Sequence, residues 1–353
     1  MKITVWGAGA IGGVVGAYLV RAGEDITFID IAEDHVRAMN EKGLTIETLE
    51  GDFTVPVKAM TVEKFRKSGE LLDVVFLAVK AQHTEHAVRE FAGRLQENSV
   101  VVSMQNGLCE EVIAAIIGEE RTIGSFVNLF ADYMKPGVIQ YGGIGSLYLG
   151  ELDGSITPRL RELHEKLLHW GNAQMTENIW GYLWGKLAYA AILAATALVD
   201  EKMADVIDPK ENREMFVDLA RETLEVAHKL NIKPEGFDDW EPSLVYPVGE
   251  INWEKLHAQL DLLVKRLRSY KKVKSGIWRD LAVRKRKTEV PTHLNPVIRA
   301  GRDLGVDMAM TKRVVEMIQD IEEGRREMSL DNIEELRKIS PLKNRVQAEN
   351  PSH

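Results

Sequence analysis

The feature that most constrains this chain is the run Gly7-Ala8-Gly9-Ala10-Ile11-Gly12-Gly13, set between the apolar stretch Ile3-Thr4-Val5-Trp6 and the helical pattern Val14, Val15, Ala17, Tyr18, Leu19. This reads as strand, glycine turn and helix. Gly7 permits the tight turn, Gly9 lets the backbone approach a pyrophosphate, and Gly12 lets helix and strand pack closely. The candidate cofactor-binding loop is therefore Gly7, Ala8, Gly9, Ala10, Ile11 and Gly12, with the helix N-terminus facing the phosphates. A second apolar run, Ile26-Thr27-Phe28-Ile29, ends in Asp30, eighteen residues beyond Gly12. A carboxylate there accepts hydrogen bonds from ribose hydroxyls and repels a 2′-phosphate, which favours NAD(H) and leaves NADP(H) possible. The alternative is that Asp30 caps the next helix together with Glu33 or Asp34.

The runs at 73–79 and 99–104 have the continuous apolar character of strands buried on both faces of a parallel sheet. Ligands of open α/β sheets bind outside the carboxyl ends of the strands. That rule makes Lys80, after the first run, and Asn106, after the second, candidates for lining the cofactor and substrate. A solvated loop lysine and a simple Asn-Gly turn are the competing readings. The glycine-rich run 141–145 and the segment 146–150 read as turns joining late strands, and the expected end of this domain is residue 174.

With 353 residues, 45% of them hydrophobic and 28% charged, the chain is long enough for two globular domains. A net charge of −9 argues against a protein built to coat nucleic acid. The single cysteine, Cys109, rules out an intrachain disulfide and a cysteine-rich metal site, so no metal is expected. Together with an N-terminus that enters the glycine motif directly, this points to a cytoplasmic protein.

From residue 175 to 340 helical periodicity dominates, so the expected architecture is α/β: an N-terminal Rossmann-type, doubly wound parallel sheet over 1–174, then an all-α domain. The stretch 178–199 carries one charge, Lys186, yet its glycines, alanines, Asn178 and Tyr182 suit a buried helix better than a membrane span. On that helix Lys186, Ala190 and Ala194 fall on one face. A lysine opening an uncharged helix either pairs with a carboxylate and serves as a proton donor, or snorkels to water. Glu289 is a candidate partner. The basic runs 265–274 and 284–287 read as a solvated face, with no nucleic acid as partner. The tail 341–353 is expected to be mobile.

The motifs GAGAIGG from Gly7 to Gly13, Val79-Lys80, Gln105-Asn106-Gly107, Trp184-Gly185-Lys186-Leu187, and Ser275 through Asp280 to Thr288-Glu289 occur in order along nearly the whole chain. In this the chain resembles the ketopantoate reductase (2-dehydropantoate 2-reductase) family. The resemblance implies that Lys186 is the general acid protonating a carbonyl oxygen as hydride arrives from the nicotinamide. It also implies that Asn106 and Lys80 line the cofactor and reacting centre, and that Glu289 contacts substrate and orients the lysine. Ser275, or its neighbour Gly276, would meet the substrate carboxylate. Association as a homodimer through the helical domain follows from the same likeness. Three departures stand out. Ala190 and Ala194 replace asparagines that hold the substrate's polar groups in the family. One extra residue lies between Asp280 and Glu289, and a segment is added from Pro234 to Trp253. Without those asparagines, a 2-oxo/2-hydroxy acid with a bulkier or more apolar side chain than ketopantoate is the expected small-molecule partner. True 2-dehydropantoate 2-reductase activity and a non-catalytic NAD(H) sensor are the alternatives.

Overall fold

Most apolar runs early in the chain are followed by a helix, and a helix carries the chain back across a sheet so that successive strands run parallel. The computed structural model describes residues 1–143, 145–269 and 273–342. It divides into two units, Met1–Ile179 and Trp180 onward. The first unit runs β1 (Ile3–Trp6), α1 (Ala10–Arg21), β2 (Ile26–Asp30), α2 (Glu33–Lys42), β3 (Leu44–Glu47), β4 (Phe53–Val55), β5 (Lys58–Thr61), α3 (Val62–Ser68), β6 (Leu72–Leu77), α4 (Thr84–Phe91), β7 (Leu95–Ser103) and α5 (Cys109–Ile117). It continues with β8 (Thr122–Asn128), β9 (Ala131–Lys135), β10 (Val138–Tyr141), β11 (Ser146–Glu151), α6 (Pro158–Leu167) and β12 (Ala173–Met175).

Eight strands form the main sheet in the order β12-β11-β8-β7-β6-β1-β2-β5. All neighbours are parallel except β11, which runs antiparallel to β8. In register, Val5 of β1 lies between Phe28 of β2 and Phe76 of β6. Alternating side chains feed a separate apolar core on each face. Val5, Phe28 and Phe76 join Val14, Val15 and Leu19 of α1 on one side, while Trp6, Ile29 and Leu77 join Phe65, Phe91 and Ile113 on the other. This is a doubly wound sheet. From β1 the chain works outward through β2 to β5, and from β6 it works the other way through β7 and β8. The β1/β6 boundary is thus the topological switch point at which such folds bind ligands.

A second sheet, β4-β3-β10-β9, was not apparent from the sequence pattern. Its central pair joins Ile46 to Ile139 in parallel, and strands this short and this far apart in sequence have no local signature. The sheet packs on α1 because Gly13 has no side chain: a Cβ there would lie 2.1 Å from Ile139 Cδ1.

The second unit is helical: α7 (Ile179–Thr196), α8 (Met203–Ile207), α9 (Lys210–Lys229), α10 (Trp253–Ser269), α11 (Gly276–Trp278), α12 (Val290–Asp303), α13 (Ala309–Glu322) and α14 (Leu330–Ile339). The long α9 buries Phe216, Leu219, Ala220, Leu224 and Ala227 as its core stripe. Also on α9, Glu222 caps α13 by accepting the N–H groups of Met310 and Thr311 at 2.9 and 2.8 Å. No helix among the described residues is long and apolar enough to cross a membrane. Of the tail expected to be mobile, 343–353 lies outside the described residues.

Candidate active site

The glycine loop follows β1 directly, at the switch point, and each glycine there answers a different constraint. Gly7 has φ +99°, in the left-handed region, and a Cβ on it would sit 2.9 Å from the backbone of Ala78 and Val79 at the end of β6. On Gly12 a Cβ would lie 2.2 Å from the Gly7 carbonyl oxygen and 2.8 Å from Val5 Cγ1, so helix and strand could not close. A Cβ on Gly9 would meet nothing within 4 Å, so the loop is open at that point. Gly9 also occupies the N-cap position of α1 without a side-chain cap, and Ala10 and Ile11 open the helix. Uncapped N-terminal amides and a loop open at Gly9 suit a dinucleotide pyrophosphate.

Two side chains hold the loop in shape. The Ala8 N–H donates to Asp30 Oδ2 at 2.8 Å, and the Ala32 N–H donates to Asp30 Oδ1 at 2.9 Å. Asp30 therefore braces both the glycine loop and the start of α2, the N-cap of which is Ala32. Each carboxylate oxygen keeps a further lone pair that a ribose hydroxyl can use. Residues 30–34, Asp30-Ile31-Ala32-Glu33-Asp34, carry three acids and no base. The second brace, His35, was not singled out in the sequence. It is 1% exposed, and its Nδ1 accepts the Gly137 N–H at 2.9 Å, which fixes the proton on Nε2; that nitrogen donates to the Ala8 carbonyl at 2.9 Å. His35 thus ties the glycine loop to the β9–β10 turn of the second sheet. The only local hint was its position on the buried stripe of α2 with Val36 and Met39.

The loops after β6 and β7 carry Lys80 and Asn106 at neighbouring strand ends. Gln105, 5% exposed, joins them: its Nε2 donates to the Val79 carbonyl and to Thr84 Oγ1, each at 2.8 Å. Thr84 in turn donates to the Ala81 carbonyl at 2.8 Å. Lys80 is half-buried and Asn106 exposed, with Gly107 turning at φ +92°. Beneath this turn Glu110, in the first turn of α5, is fully buried beside Ser103 and Ser125, and burial pushes its carboxyl up to about 8. The first unit thus gathers the glycine loop, Asp30, Lys80 and Asn106 at the carboxyl edge of one sheet.

In the second unit α7 presents Lys186 and Ala190 on a half-exposed face with Tyr182, Tyr189 and Leu193. Ala194, two turns beyond Lys186, is 1% exposed and belongs to the packed side. The Ser275 segment is brought to the end of α7 by Asp200, which pairs with Lys274 at 2.5 Å and accepts the Trp278 Nε1–H at 2.8 Å. Ser275 itself caps α11, its Oγ accepting the Trp278 N–H at 3.1 Å. A Cβ on Gly276 would meet nothing within 4 Å. Between Ser275 and Glu289 the chain makes a π-turn over Arg279–Val283, closed by Arg284 N–H to the Arg279 carbonyl at 2.9 Å. Glu289 stands at the N-cap of α12, 3.8 Å from His293 Nε2.

Among the described residues of the basic runs, the arginines are engaged in ion pairs. Arg284 and Arg286 bind buried Asp280, Arg266 binds Asp238 and Asp239, and Arg268 binds Asp205 and Asp208.

Residues 3–154 match the family described as ketopantoate reductase PanE/ApbA, and residues 178–322 match its C-terminal counterpart. The chain is 31% identical over 235 residues to a 2-dehydropantoate 2-reductase of Pyrococcus horikoshii, covering 66% of this chain and 75% of that one. To the 2-dehydropantoate 2-reductase of Archaeoglobus fulgidus it is 26% identical over 325 residues, 92% of this chain and 98% of the relative. Among solved structures, a PanE/ApbA family ketopantoate reductase from Ralstonia eutropha superposes with a TM-score of 0.75 at 23% identity. D-mandelate dehydrogenase with NADH and anilino(oxo)acetate superposes with a TM-score of 0.78 at 21% identity. In both cases 92% of this chain and 99% of the other are covered.

Proposed function

The chain belongs to the ketopantoate reductase family, and from that premise we propose that it moves a hydride reversibly between NAD(H) and a 2-oxo/2-hydroxy acid other than ketopantoate. The observation that carries the reading is the composition of helix α7 around Lys186. Lys186 stands half-exposed on α7, with alanine at the next turn and a fully packed alanine at the turn after that. This face keeps a cationic proton donor while Ala190 offers no hydrogen bond to a substrate hydroxyl, and Ala194 is packed away from it. A site that cannot pair a buried hydroxyl disfavours the substrate that carries it by up to about 10²-fold.

A bound reduced nicotinamide supplies the hydride. Lys186 donates a proton to the carbonyl oxygen as negative charge builds there, and takes it back in the reverse direction. Glu289 orients the lysine and contacts substrate, and Ser275 or Gly276 meets the carboxylate. The cap uses Ser275 Oγ only as an acceptor, so its O–H remains able to donate to a carboxylate, as does the Gly276 N–H. Lys80 and Asn106 position the cofactor at the sheet edge. The preference for NAD(H) over NADP(H) rests on Asp30 and the absence of a base from residues 30–34.

The test is absorbance at the nicotinamide band with NADH and NADPH against ketopantoate and a panel of 2-oxo acids. NADH oxidation with apolar 2-oxo acids and little with ketopantoate is the expected result. Efficient NADPH-linked reduction of ketopantoate would establish the second reading, true 2-dehydropantoate 2-reductase, which the names of the Pyrococcus and Archaeoglobus relatives favour. Nucleotide binding without turnover in either direction would point to the NAD(H) sensor.

A further inference from the structure

The segment between Pro234 and Trp253 docks on the same helix that carries Lys186, one row of side chains away. Glu235 N–H donates to the Gly181 carbonyl at 2.9 Å, and Trp240 Nε1–H donates to the Gly185 carbonyl at 3.0 Å. Close approach depends on glycine: a Cβ on Gly185 would lie 2.3 Å from the Glu235 carbonyl oxygen. The segment folds back on itself through reciprocal backbone hydrogen bonds between Phe237 and Trp240, at 3.0 and 2.8 Å. On its far side it is buckled to α10 by Arg266, bonded to Asp238 and Asp239, and by Gln259, which accepts the Glu241 N–H at 3.1 Å.

The docked row on α7 is Gly181, Gly185, Tyr189, at spacings of four. Tyr189 lies three residues beyond Lys186 and next to Ala190, so it borders the lysine face. Its ring is held at 5.8 Å from both Phe237, edge-on at 80°, and Trp240, tilted at 40°. The two supporting rings are 7% and 4% exposed, whereas Tyr189 is half-exposed. The result is a fixed aromatic surface beside the proton donor, built with Phe237 and Trp240 of the docked segment.

We infer that Tyr189, held by Phe237 and Trp240, is the specificity-determining wall against which the substrate side chain packs, and that it selects 2-oxo acids with an aromatic side chain. The inference rests on the hydride-transfer reading above. A rigid aromatic face gains from stacking or edge contacts with a substrate ring and loses little when a short aliphatic chain replaces it. Ala190 beside it presents only a methyl group on the same face.

The test compares kcat/KM for 2-oxo-2-phenylacetate and 2-oxobutanoate, with NADH, in the wild-type protein, Tyr189→Ala and Tyr189→Phe. The wild type should prefer the aromatic acid. Tyr189→Ala should lower the aromatic-to-aliphatic ratio about tenfold or more, with most of the loss on the aromatic acid. Tyr189→Phe, which keeps the ring, should retain the preference. Should Tyr189→Ala not fold, Tyr189→Leu fills the same space against Phe237 and Trp240 and should lower the ratio in the same direction. A ratio unchanged in the folded alanine or leucine variant, or a wild-type preference for 2-oxobutanoate, overturns the inference and leaves the hydride-transfer reading standing. No turnover of any 2-oxo acid by the wild type overturns both.

Discussion

Replacing His35 by leucine is the perturbation that most directly tests how the cofactor loop is held. The side chains are similar in volume, so the change removes polarity more than packing. Two backbone groups lose their partner, the Ala8 carbonyl and the Gly137 N–H, both within a site where His35 is 1% exposed. A buried backbone group left unpaired costs about 1–3 kcal/mol, so full retention of the wild-type geometry would cost about 2–6 kcal/mol. Relaxation of the glycine loop to reach water brings the expected loss down to about 2–4 kcal/mol in urea unfolding. That relaxation displaces Ala8, which sits between two loop glycines, so dinucleotide affinity should fall as well. If one of the two lost bonds is charged to the loop, about 1–2 kcal/mol, the NADH Kd rises about five- to thirtyfold, read by nicotinamide fluorescence. A destabilised variant with an unchanged NADH Kd would sever the link between His35 and the cofactor loop. His35 would then support the second sheet alone.

Lys186→Ala should leave the NADH Kd unchanged and lower kcat about 10²- to 10⁴-fold, as expected for loss of a general acid; retained turnover would remove the lysine from the chemistry. Asp30→Asn places an amide donor against one of the N–H groups of Ala8 and Ala32 and removes the charge facing a 2′-phosphate. The NADPH-to-NADH ratio of kcat/KM should rise about tenfold, and an unchanged ratio would confine Asp30 to bracing the loop. Glu110 remains protonated in the fold up to about 8 because it is buried, whereas an unfolded glutamate ionises near 4.5. Between those values the native state holds the extra proton, so stability falls as pH rises across the window. Glu110→Gln, neutral at all pH, should flatten that slope and leave the protein more stable at pH 8 by about a few kcal/mol, measured by denaturation across pH 5–9.

The glycine spacing, the apolar runs of β1, β2, β6 and β7 and the single charge of α7 made the sheet, the switch point and the lysine helix legible. Local patterns suffice there because strand burial, turn geometry and helix periodicity are set by residues within a few positions of one another. The positions of Lys80 and Asn106 at strand ends followed from the same logic. What Ala194 would face did not. Its spacing from Lys186 put it on one helical face, yet its burial depends on which side of α7 the rest of the unit packs.

Local residue patterns suffice for the Rossmann half, its switch-point loop and the presence of Lys186 on a long apolar helix. Tertiary structure alone decided the bracing of Ala8 by Asp30 and His35, the Gln105 link between two strand-end loops and the parallel pairing of β3 with β10. It also decided the docking of Phe237 and Trp240 against Tyr189. Each of these joins groups distant in the chain through one or two hydrogen bonds or a ring contact. Such contacts form only after the apolar core has brought the elements together, so they leave no periodic trace for a sequence to display.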